Sequence, residues 1–280
     1  MRKLIAPDIN VRAFYLQCAE DTHIEDRRAR LISSVDAVVE ASDAYALASN
    51  EKSWCDLPKS IQDVPATDCE MSDLYSRTMV RNGRAGRYLY DKIFSSSAVC
   101  PMCGQGKVST LDHYLPKSKY AQFAILPLNL VPCCRDCNIE KRVAFPATRT
   151  DQTFHPYFDD VEMDRWLYAT VELDQGVSLA FFVAAPSGWS LELAGRAQTH
   201  FDAFKLGSLF STFAATELSS LKYRLQKTFS NAGLPGVRAD LALEAESSRI
   251  VHLNSWKTAM YEALSKSDEF CAGGFGEIGI

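Results

Sequence analysis

The sequence of 280 residues predicts an α+β protein organised in three regions. Apolar residues recur at steps of three and four in the first 50 residues and again in the last third of the chain, which is typical of amphipathic helices. Stretches such as LYATVELD and VSLAFFVAA indicate β-strands. Between these parts lies a cysteine-rich segment, residues 100–142, around which we expect the rest of the chain to be arranged.

The first region, residues 1–75, is predicted to be helical. Its apolar stripe indicates core packing, with a partner-binding helix as the alternative, and the stripe consists of Leu31, Val35, Val38, Ala41 and Tyr45. Residues 51–70 carry prolines and little periodicity, so we expect an ordered loop there.

The second region, residues 76–150, begins with a basic approach segment. Four arginines recur at helical steps of four, three and three, namely Arg77, Arg81, Arg84 and Arg87. Two interspersed glycines weaken such a helix. Two tyrosines follow, and arginines interleaved with tyrosines favour contacts with nucleic-acid phosphates and bases. A solvated basic face is the alternative.

Two CxxC pairs dominate the middle of the chain, Cys100/Cys103 and Cys134/Cys137. Each tight turn presents two sulfurs, and two such turns suit tetrahedral zinc. Four protein ligands leave zinc no open position, so we expect a structural Zn²⁺. Disulfides are the alternative, which nine cysteines without a secretion signal make less favourable. Cys133 is expected to be a buried thiol beside the ligands.

The insert between the two pairs contains oxygen and imidazole side chains. LDHYLP predicts a short strand that ends at Pro116, and LPLNLV predicts a second strand around Asn129. A helix is expected to begin near Cys134. Asn138 and Lys141 are three residues apart, so they would share a face of that helix.

This order of strand, loop, strand and helix resembles the ββα-metal core of HNH endonucleases, in the subclass with a four-cysteine zinc. The motifs DHYLPKS, NLVPC and CxxCNxxK carry the resemblance, which covers residues 99–143 closely. It implies a central, treble-clef-like zinc core. A helical N-terminal region and an α+β C-terminal region, residues 151–280, would flank that core.

The resemblance also implies roles for matching residues. His113 would be the general base, and Asn129 would steady it. Asp112 and Asn138 would hold a catalytic Mg²⁺ or Mn²⁺, for which Asp and Asn oxygens are suitable hard ligands. A histidine with a pKa near the reference value of about 6.5 accepts a proton at neutral pH. Outside this context, each residue would be an ordinary turn, core or helix residue.

The distribution of charge favours a nucleic-acid partner despite the net charge of −5. Residues 77–149 contain 12 Lys/Arg and 4 Asp/Glu, so positive charge is concentrated around the motif. The candidate nucleic-acid contacts are Arg81, Arg84, Arg87, Lys117, Lys141 and Arg142. For the last two, a solvated helix face is the alternative.

The third region is predicted to contain strands followed by long helices. The two strands quoted above would turn at Gln175-Gly176, and SGWSLELA is a candidate third strand. Helices are expected over residues 197–229 and 239–267, with a break at Pro235 and a frayed glycine-rich end. We interpret FHPYFDD as a turn that packs Tyr157 and Phe158 into the core, with closure over an active site as the alternative.

Together these observations predict a metal-dependent HNH endonuclease that hydrolyses DNA, with RNA as the alternative substrate. The rival predictions are a non-catalytic, zinc-pinned nucleic-acid-binding module and a subunit of a defence or repair complex. The resemblance implies bacterial defence against phage, with an ATPase or other defence-system protein as partner. No apolar run is long enough to span a membrane and the N-terminus lacks a signal-peptide core, so we expect a cytoplasmic protein.

Overall fold

The computed structural model describes residues 1–141 and 146–279, and it shows a mixed α/β fold with small antiparallel sheets. The predicted mixture of helices and small sheets is therefore confirmed. The chain divides into two compact units, residues 2–159 and a second unit of Met1 with residue 160 onwards. Arg142 lies outside the described residues, so its predicted phosphate contact stays a prediction.

The first unit begins with helices α1 (Val11–Glu20), α2 (Glu25–Ser33) and α3 (Val35–Glu51). Asn10 caps α1, because its Oδ1 accepts a hydrogen bond from the backbone N–H of Ala13. Leu31, Val38 and Tyr45 of the predicted stripe are buried. Core packing is therefore confirmed for these three positions. The proline-containing segment that follows is a loop with one short 3₁₀ turn, as predicted.

Helix α4 (Asp68–Leu74) begins at a capping box formed by Thr67 and Glu70. It continues into a π-helical turn, Tyr75–Met79, and helix α5 begins only at Arg87. The single helix considered for the four arginines is therefore not formed. Residues 80–86 form turns instead, with Gly83 at a φ of +73°, a conformation that favours glycine.

The cysteine-rich segment folds as a hairpin followed by a helix. Strand β1 (Thr110–His113) pairs antiparallel with β2 (Leu130–Cys133), and helix α6 (Arg135–Lys141) follows at once. All four residues of β2 are buried. Strand β1 and helix α6 lie close to their predicted positions, whereas β2 begins one residue after Asn129, because Pro127–Asn129 form a 3₁₀ turn.

The second unit contains a hairpin and several helices. Its elements are β3 (Leu167–Glu172), β4 (Ser178–Val183), α7 (Leu191–Ala203), α8 (Leu206–Val251), α9 (Trp256–Lys266) and α10 (Asp268–Cys271). Gly176 adopts a φ of +94° in the predicted turn between the strands. Nowhere in residues 1–141 and 146–279 is a helix both long and apolar enough to span a membrane.

Several predictions for this unit need correction. SGWSLELA is not a third strand, because the Ser190 hydroxyl accepts from the N–H of Leu193 and begins α7. The predicted helix over residues 197–229 is interrupted at Lys205, which has a φ of +49°. The C-terminal end is not frayed, since Phe275 and Ile278 are buried.

The long apolar stripe of α8 is buried as predicted, at Leu206, Phe210, Ala214, Leu218, Leu221 and Leu225. The expected break falls at Gly233, two residues before Pro235, where φ is 60° and ψ is −161°. The second predicted helix is itself divided at residues 252–255, because Ser255 caps a separate helix, α9.

Candidate metal centre and active site

The four predicted zinc ligands come together in the first unit. The Sγ atoms of Cys100, Cys103, Cys134 and Cys137 all lie within 4.8 Å of one another, and all four residues are buried and free of disulfides. Tetrahedral zinc with Zn–S bonds of about 2.3 Å places its sulfurs about 3.8 Å apart. The Sγ atoms of Cys103 and Cys134 are 3.9 Å apart. The donor set therefore fits a metal ion such as zinc.

Backbone N–H groups support both cysteine turns. The N–H of Gly106 lies 3.3 Å from Sγ of Cys103, and the N–H of Cys137 lies 3.5 Å from Sγ of Cys134. A Cβ at Gly106 would lie 2.7 Å from the Cys134 sulfur, so this position accommodates only glycine. Four thiolates packed this closely repel one another, and a bound cation would balance them.

Cys133 is a buried neighbour of this centre, as the sequence predicts. Its Sγ is 4.0 Å from Sγ of Cys100. The residue belongs to β2, whereas Cys134 lies on the turn into α6. The two-residue spacing of the second CxxC pair therefore leaves Cys133 beside the four ligands.

Asp112, the predicted carboxylate ligand of a catalytic ion, is buried and forms an ion pair with Lys141. Its Oδ2 is 2.7 Å from the Lys141 ammonium, which also donates to the carbonyl oxygen of His113. Burial raises the pKa of Asp112, and the ammonium opposes that rise. The sequence predicts a phosphate contact for Lys141. The structure instead buries its side chain against Asp112, because this face of α6 packs on β1.

The imidazole of His113 is held in a defined orientation. Its Nε2 lies 2.9 Å from the carbonyl oxygen of Ala124. A carbonyl only accepts hydrogen bonds, so Nε2 carries the proton and Nδ1 keeps a lone pair. Burial lowers the pKa of His113 to about 3, and Tyr75 packs edge-on at 4.5 Å between ring centroids. The imidazole is therefore neutral at pH 7 with a lone pair on Nδ1, but burial makes this lone pair less basic than that of a histidine with the reference pKa of about 6.5.

Asn129 is fully buried and fastens the loop after β1. Its Oδ1 accepts from the N–H of Leu115 at 2.7 Å, and its Nδ2 donates to the carbonyls of Leu115 and Phe123 at 3.0 and 3.1 Å. Its own carbonyl accepts from the N–H of Tyr114. Within the described residues it forms no hydrogen bond with the imidazole of His113. Asn129 thus holds the backbone that follows the histidine.

Asn138, the second predicted ligand of a catalytic ion, lies half-buried on α6. Its side chain forms no hydrogen bond with any residue that the structure describes. Lys141, three residues later, reaches Asp112 on β1. Because residues three apart share a helix face, Asn138 lies on the same side of α6 as that ion pair.

Of the arginines predicted to contact nucleic acid, some already form ion pairs with acidic residues of the protein. Arg84 pairs with Asp21 at 3.0 Å, and Arg87 pairs with Asp91 at 2.8 Å. Arg81 is exposed, and in the part of the chain that the structure describes it has no ion pair. Arg84 and Arg87 therefore already form ion pairs within the protein. Within the described residues, Arg81 is the one of these three that is free to contact a nucleic acid.

Lys117 lies in the loop between the strands, as predicted. Its ammonium donates to the hydroxyl of Ser72 at 3.3 Å, and the residue is half-buried. Because the Ser72 hydroxyl carries no charge, this contact does not neutralise the Lys117 ammonium.

A buried network behind Asn129 is missing from the sequence prediction. The Tyr45 hydroxyl lies 3.2 Å from Oδ1 of Asn129 and 3.3 Å from Nε2 of His155, which also lies 3.1 Å from the carbonyl of Leu128. The histidine of FHPYFDD is visible as an unusual residue. No local signal, however, links it to a tyrosine 110 positions earlier.

The packing interpretation of FHPYFDD is confirmed. Tyr157 is buried, and its hydroxyl donates to the carbonyl of Leu130 at 2.7 Å. Phe158 is half-buried and packs against Trp54, whose ring also stacks on His155. The segment therefore supports the hairpin from behind.

Comparison with known proteins finds a phage relative of this chain. Protein ea31 of Escherichia phage lambda is 31% identical to this chain over 223 residues, which cover 74% of this chain and 75% of ea31. The chain belongs to the ea31 family. No protein-family model matches it, and no solved structure matches it.

Removal of one sulfur tests the metal centre of this ea31-family protein. We expect Cys100→Ser to lose bound zinc and to lower the free energy of unfolding by roughly 3 kcal/mol or more, because metal binding is coupled to folding. Elemental analysis and urea unfolding measure the two effects. Cys69→Ser is the control, since Cys69 is an exposed free thiol outside the cluster. Equal zinc content in the two variants would contradict the assignment.

The buried ion pair predicts a large effect of Lys141→Met. This change leaves the Asp112 carboxylate buried without a partner, and we expect a loss of about 3–5 kcal/mol in the free energy of unfolding. The double variant Lys141→Met/Asp112→Asn removes the uncompensated charge and should recover much of that loss. Urea unfolding of the wild-type protein, Lys141→Met, Asp112→Asn and the double variant provides the measurement. Additive losses in the double variant would show that the two side chains do not interact.

The lowered pKa of His113 predicts a pH-dependent stability. Between the unfolded value of 6.5 and the folded value of about 3, the unfolded chain binds more protons, so the free energy of unfolding falls as pH drops. From pH 7 to pH 5, we expect His113 to account for about 2 kcal/mol of that fall. Urea unfolding at both pH values should show a correspondingly smaller fall for His113→Gln. An identical fall in both proteins would be inconsistent with a desolvated imidazole.

Proposed function

We propose that this protein is a metal-dependent HNH endonuclease with a structural zinc, which hydrolyses phosphodiester bonds in DNA. One observation carries the proposal. A neutral, buried His113 at the end of β1 has its Nε2 tied to a carbonyl and its Nδ1 left as the basic atom, directly after the buried carboxylate of Asp112. This pair lies in a hairpin that is bracketed by four clustered cysteines.

The arrangement of elements supports a treble-clef-like ββα core. Cys100 and Cys103 precede β1, whereas Cys134 and Cys137 lie at the junction of β2 and α6. A metal ion held by these sulfurs would join the hairpin to the helix at one point. Such a clamp would keep His113 and Asp112 on β1 close to Asn138 on α6.

The chemistry follows from the state of these side chains. Nδ1 of His113 would take a proton from a water molecule, whose oxygen then bonds to the phosphorus while the bond from phosphorus to the leaving oxygen breaks. The carbonyl of Ala124 fixes the tautomer that this step needs. Asn129 keeps the loop after β1 in place, so the imidazole does not need to be oriented as the reaction occurs.

Asp112 and Asn138 would hold the catalytic Mg²⁺ or Mn²⁺. Their oxygens are hard ligands, and the Asn138 side chain has no competing hydrogen bond among the described residues. When bound, the divalent ion would neutralise charge on the phosphate and on the leaving oxygen.

DNA as substrate is supported by the concentration of charge. Residues 77–149 hold 12 Lys/Arg against 4 Asp/Glu, in a chain whose net charge is −5. Cations gathered beside the hairpin would attract a polyanion, while the acidic remainder of the chain would repel it.

Cleavage of supercoiled plasmid tests the proposal. With Mg²⁺ or Mn²⁺ we expect the wild-type protein to nick or linearise the plasmid, and we expect His113→Ala to be slower by about 100-fold or more, because a general base is lost. His252→Ala is the control, since this histidine belongs to the second unit. Gel electrophoresis follows the product, while zinc content and circular dichroism show that both variants are folded.

Two outcomes would overturn the proposed function. Cleavage by His113→Ala at the wild-type rate would remove His113 as the base. DNA binding by the wild-type protein without any metal-dependent nicking would favour the non-catalytic, zinc-pinned binding module.

A further inference from the structure

A cationic pocket of about 90 Å³ lies in the first unit, and none of the four clustered cysteines lines it. It is formed by the turn between α1 and α2, by α2 itself, and by the segment that follows α4. Five basic side chains line it, namely His23, Arg27, Arg77, Arg81 and Arg84. Neither the zinc centre nor the proposed hydrolysis uses His23, Arg27 or Arg77.

Acidic neighbours neutralise this pocket only in part. Asp73 is shared by two arginines, lying 3.3 Å from Nη2 of Arg27 and 3.1 Å from Nε of Arg77. Asp21 pairs with Arg84 at 3.0 Å. Arg81 has no acidic partner among the described residues. The four lining arginines therefore face two carboxylates, which leaves an excess of two positive charges.

The next layer of charge does not remove this excess. Glu70 lies 3.7 Å from Nε of Arg27, but it also accepts two hydrogen bonds from Arg30 and so is matched by that cation. Glu25 and Asp26, in the first turn of α2, are exposed and do not line the pocket.

The same contacts hold the guanidinium groups in place before any ligand binds. Arg27 and Arg84 are only 15% and 22% exposed at their side chains. Nη1 of Arg84 donates to Nε2 of His23 at 2.8 Å, so His23 accepts there and its Nδ1 carries the proton. The side chains that line the pocket therefore present several N–H donors in fixed positions. Binding of a ligand would cost these side chains little further conformational entropy.

We propose that this pocket binds a phosphate monoester. A monoester carries a charge of about −1.5 to −2 at pH 7 and three strong acceptor oxygens, which match an excess of two positive charges and several fixed N–H donors. A pocket of about 90 Å³ has several times the roughly 10–15 Å³ of cavity volume that one water needs, so it accommodates one such group. The pocket is large enough for one phosphate group but too small for a nucleic-acid duplex.

The 5′-phosphate of a DNA end is the source that we favour, and this choice rests on the proposed function. Tyr75, whose ring packs against His113, belongs to the same π-helical turn as Arg77 and Thr78, which line the pocket. One short segment therefore connects the proposed base to the cationic pocket. A DNA end held there would place the same strand beside the hairpin.

Calorimetric titration with inorganic phosphate tests the pocket without reference to cleavage. We expect wild-type protein to bind phosphate and Arg81→Ala to bind it about tenfold more weakly, because one charge-assisted interaction is lost. Arg81→Lys keeps the charge and should lose less. The matched control is Lys266→Ala, which removes an exposed positive charge in the second unit. Arg81 is exposed and unpaired within the described chain, so its replacement should leave the fold intact.

A pair of oligonucleotides that differ only in a 5′-phosphate or a 5′-hydroxyl identifies the source. Tighter binding of the 5′-phosphorylated strand, with the preference reduced by Arg81→Ala, would support a DNA end. Phosphate binding without that preference would support a free phosphate ligand and exclude the DNA end. If wild-type protein binds neither inorganic phosphate nor the phosphorylated strand preferentially, the pocket proposal is wrong.

Failure of this proposal is distinguishable from failure of the proposed nuclease. His113→Ala lacks the proposed base but retains the whole pocket, so it should bind inorganic phosphate as the wild-type protein does. Plasmid cleavage without phosphate binding would reject the pocket and keep the nuclease. Phosphate binding by a protein that cleaves nothing would keep the pocket and reject the nuclease.

Discussion

The convergence of four buried sulfurs is the constraint on which the rest of the first unit depends. Two of them precede β1 and two lie where β2 passes into α6, so the cluster determines where a hairpin and a helix meet. Neither element is long, and short hairpins and helices have little stability of their own. A metal ion at this cluster would supply the free energy that these elements lack.

Desolvation has opposite effects on the pKa values of Asp112 and His113, two adjacent polar residues of β1. Burial disfavours the charged form of each, which raises the pKa of Asp112 and lowers that of His113. Lys141 compensates Asp112, whereas His113 is bonded through a neutral N–H. A carboxylate that needs a cation therefore stands beside an imidazole that stays neutral.

The helices of the first unit support this hairpin through buried polar contacts as well as apolar packing. Tyr45 of α3 reaches Asn129, and Asn129 fastens the backbone after β1. His155 and Tyr157 complete the support from the other end of the unit. These bonds satisfy polar groups that would otherwise be buried at a cost, so they specify one arrangement of the loop.

Local spacing in the sequence determined what could be predicted. The CxxC pairs predicted the sulfur cluster, because a tight turn brings residues three apart together, and helical or alternating periodicity predicted the stripes of α3 and α8 and the hairpin of β3 and β4. Apolar alternation in SGWSLELA predicts a strand that includes Ser190, whereas the Ser190 hydroxyl caps the first turn of a helix. The tertiary structure alone decided which distant groups meet. Examples are the ion pair of Lys141 with Asp112, the contact of Tyr45 with His155, and the position of Asp73 between Arg27 and Arg77. Their partners are separated by intervening elements, and the pattern of one segment carries no information about the side chain that another segment will bring to it.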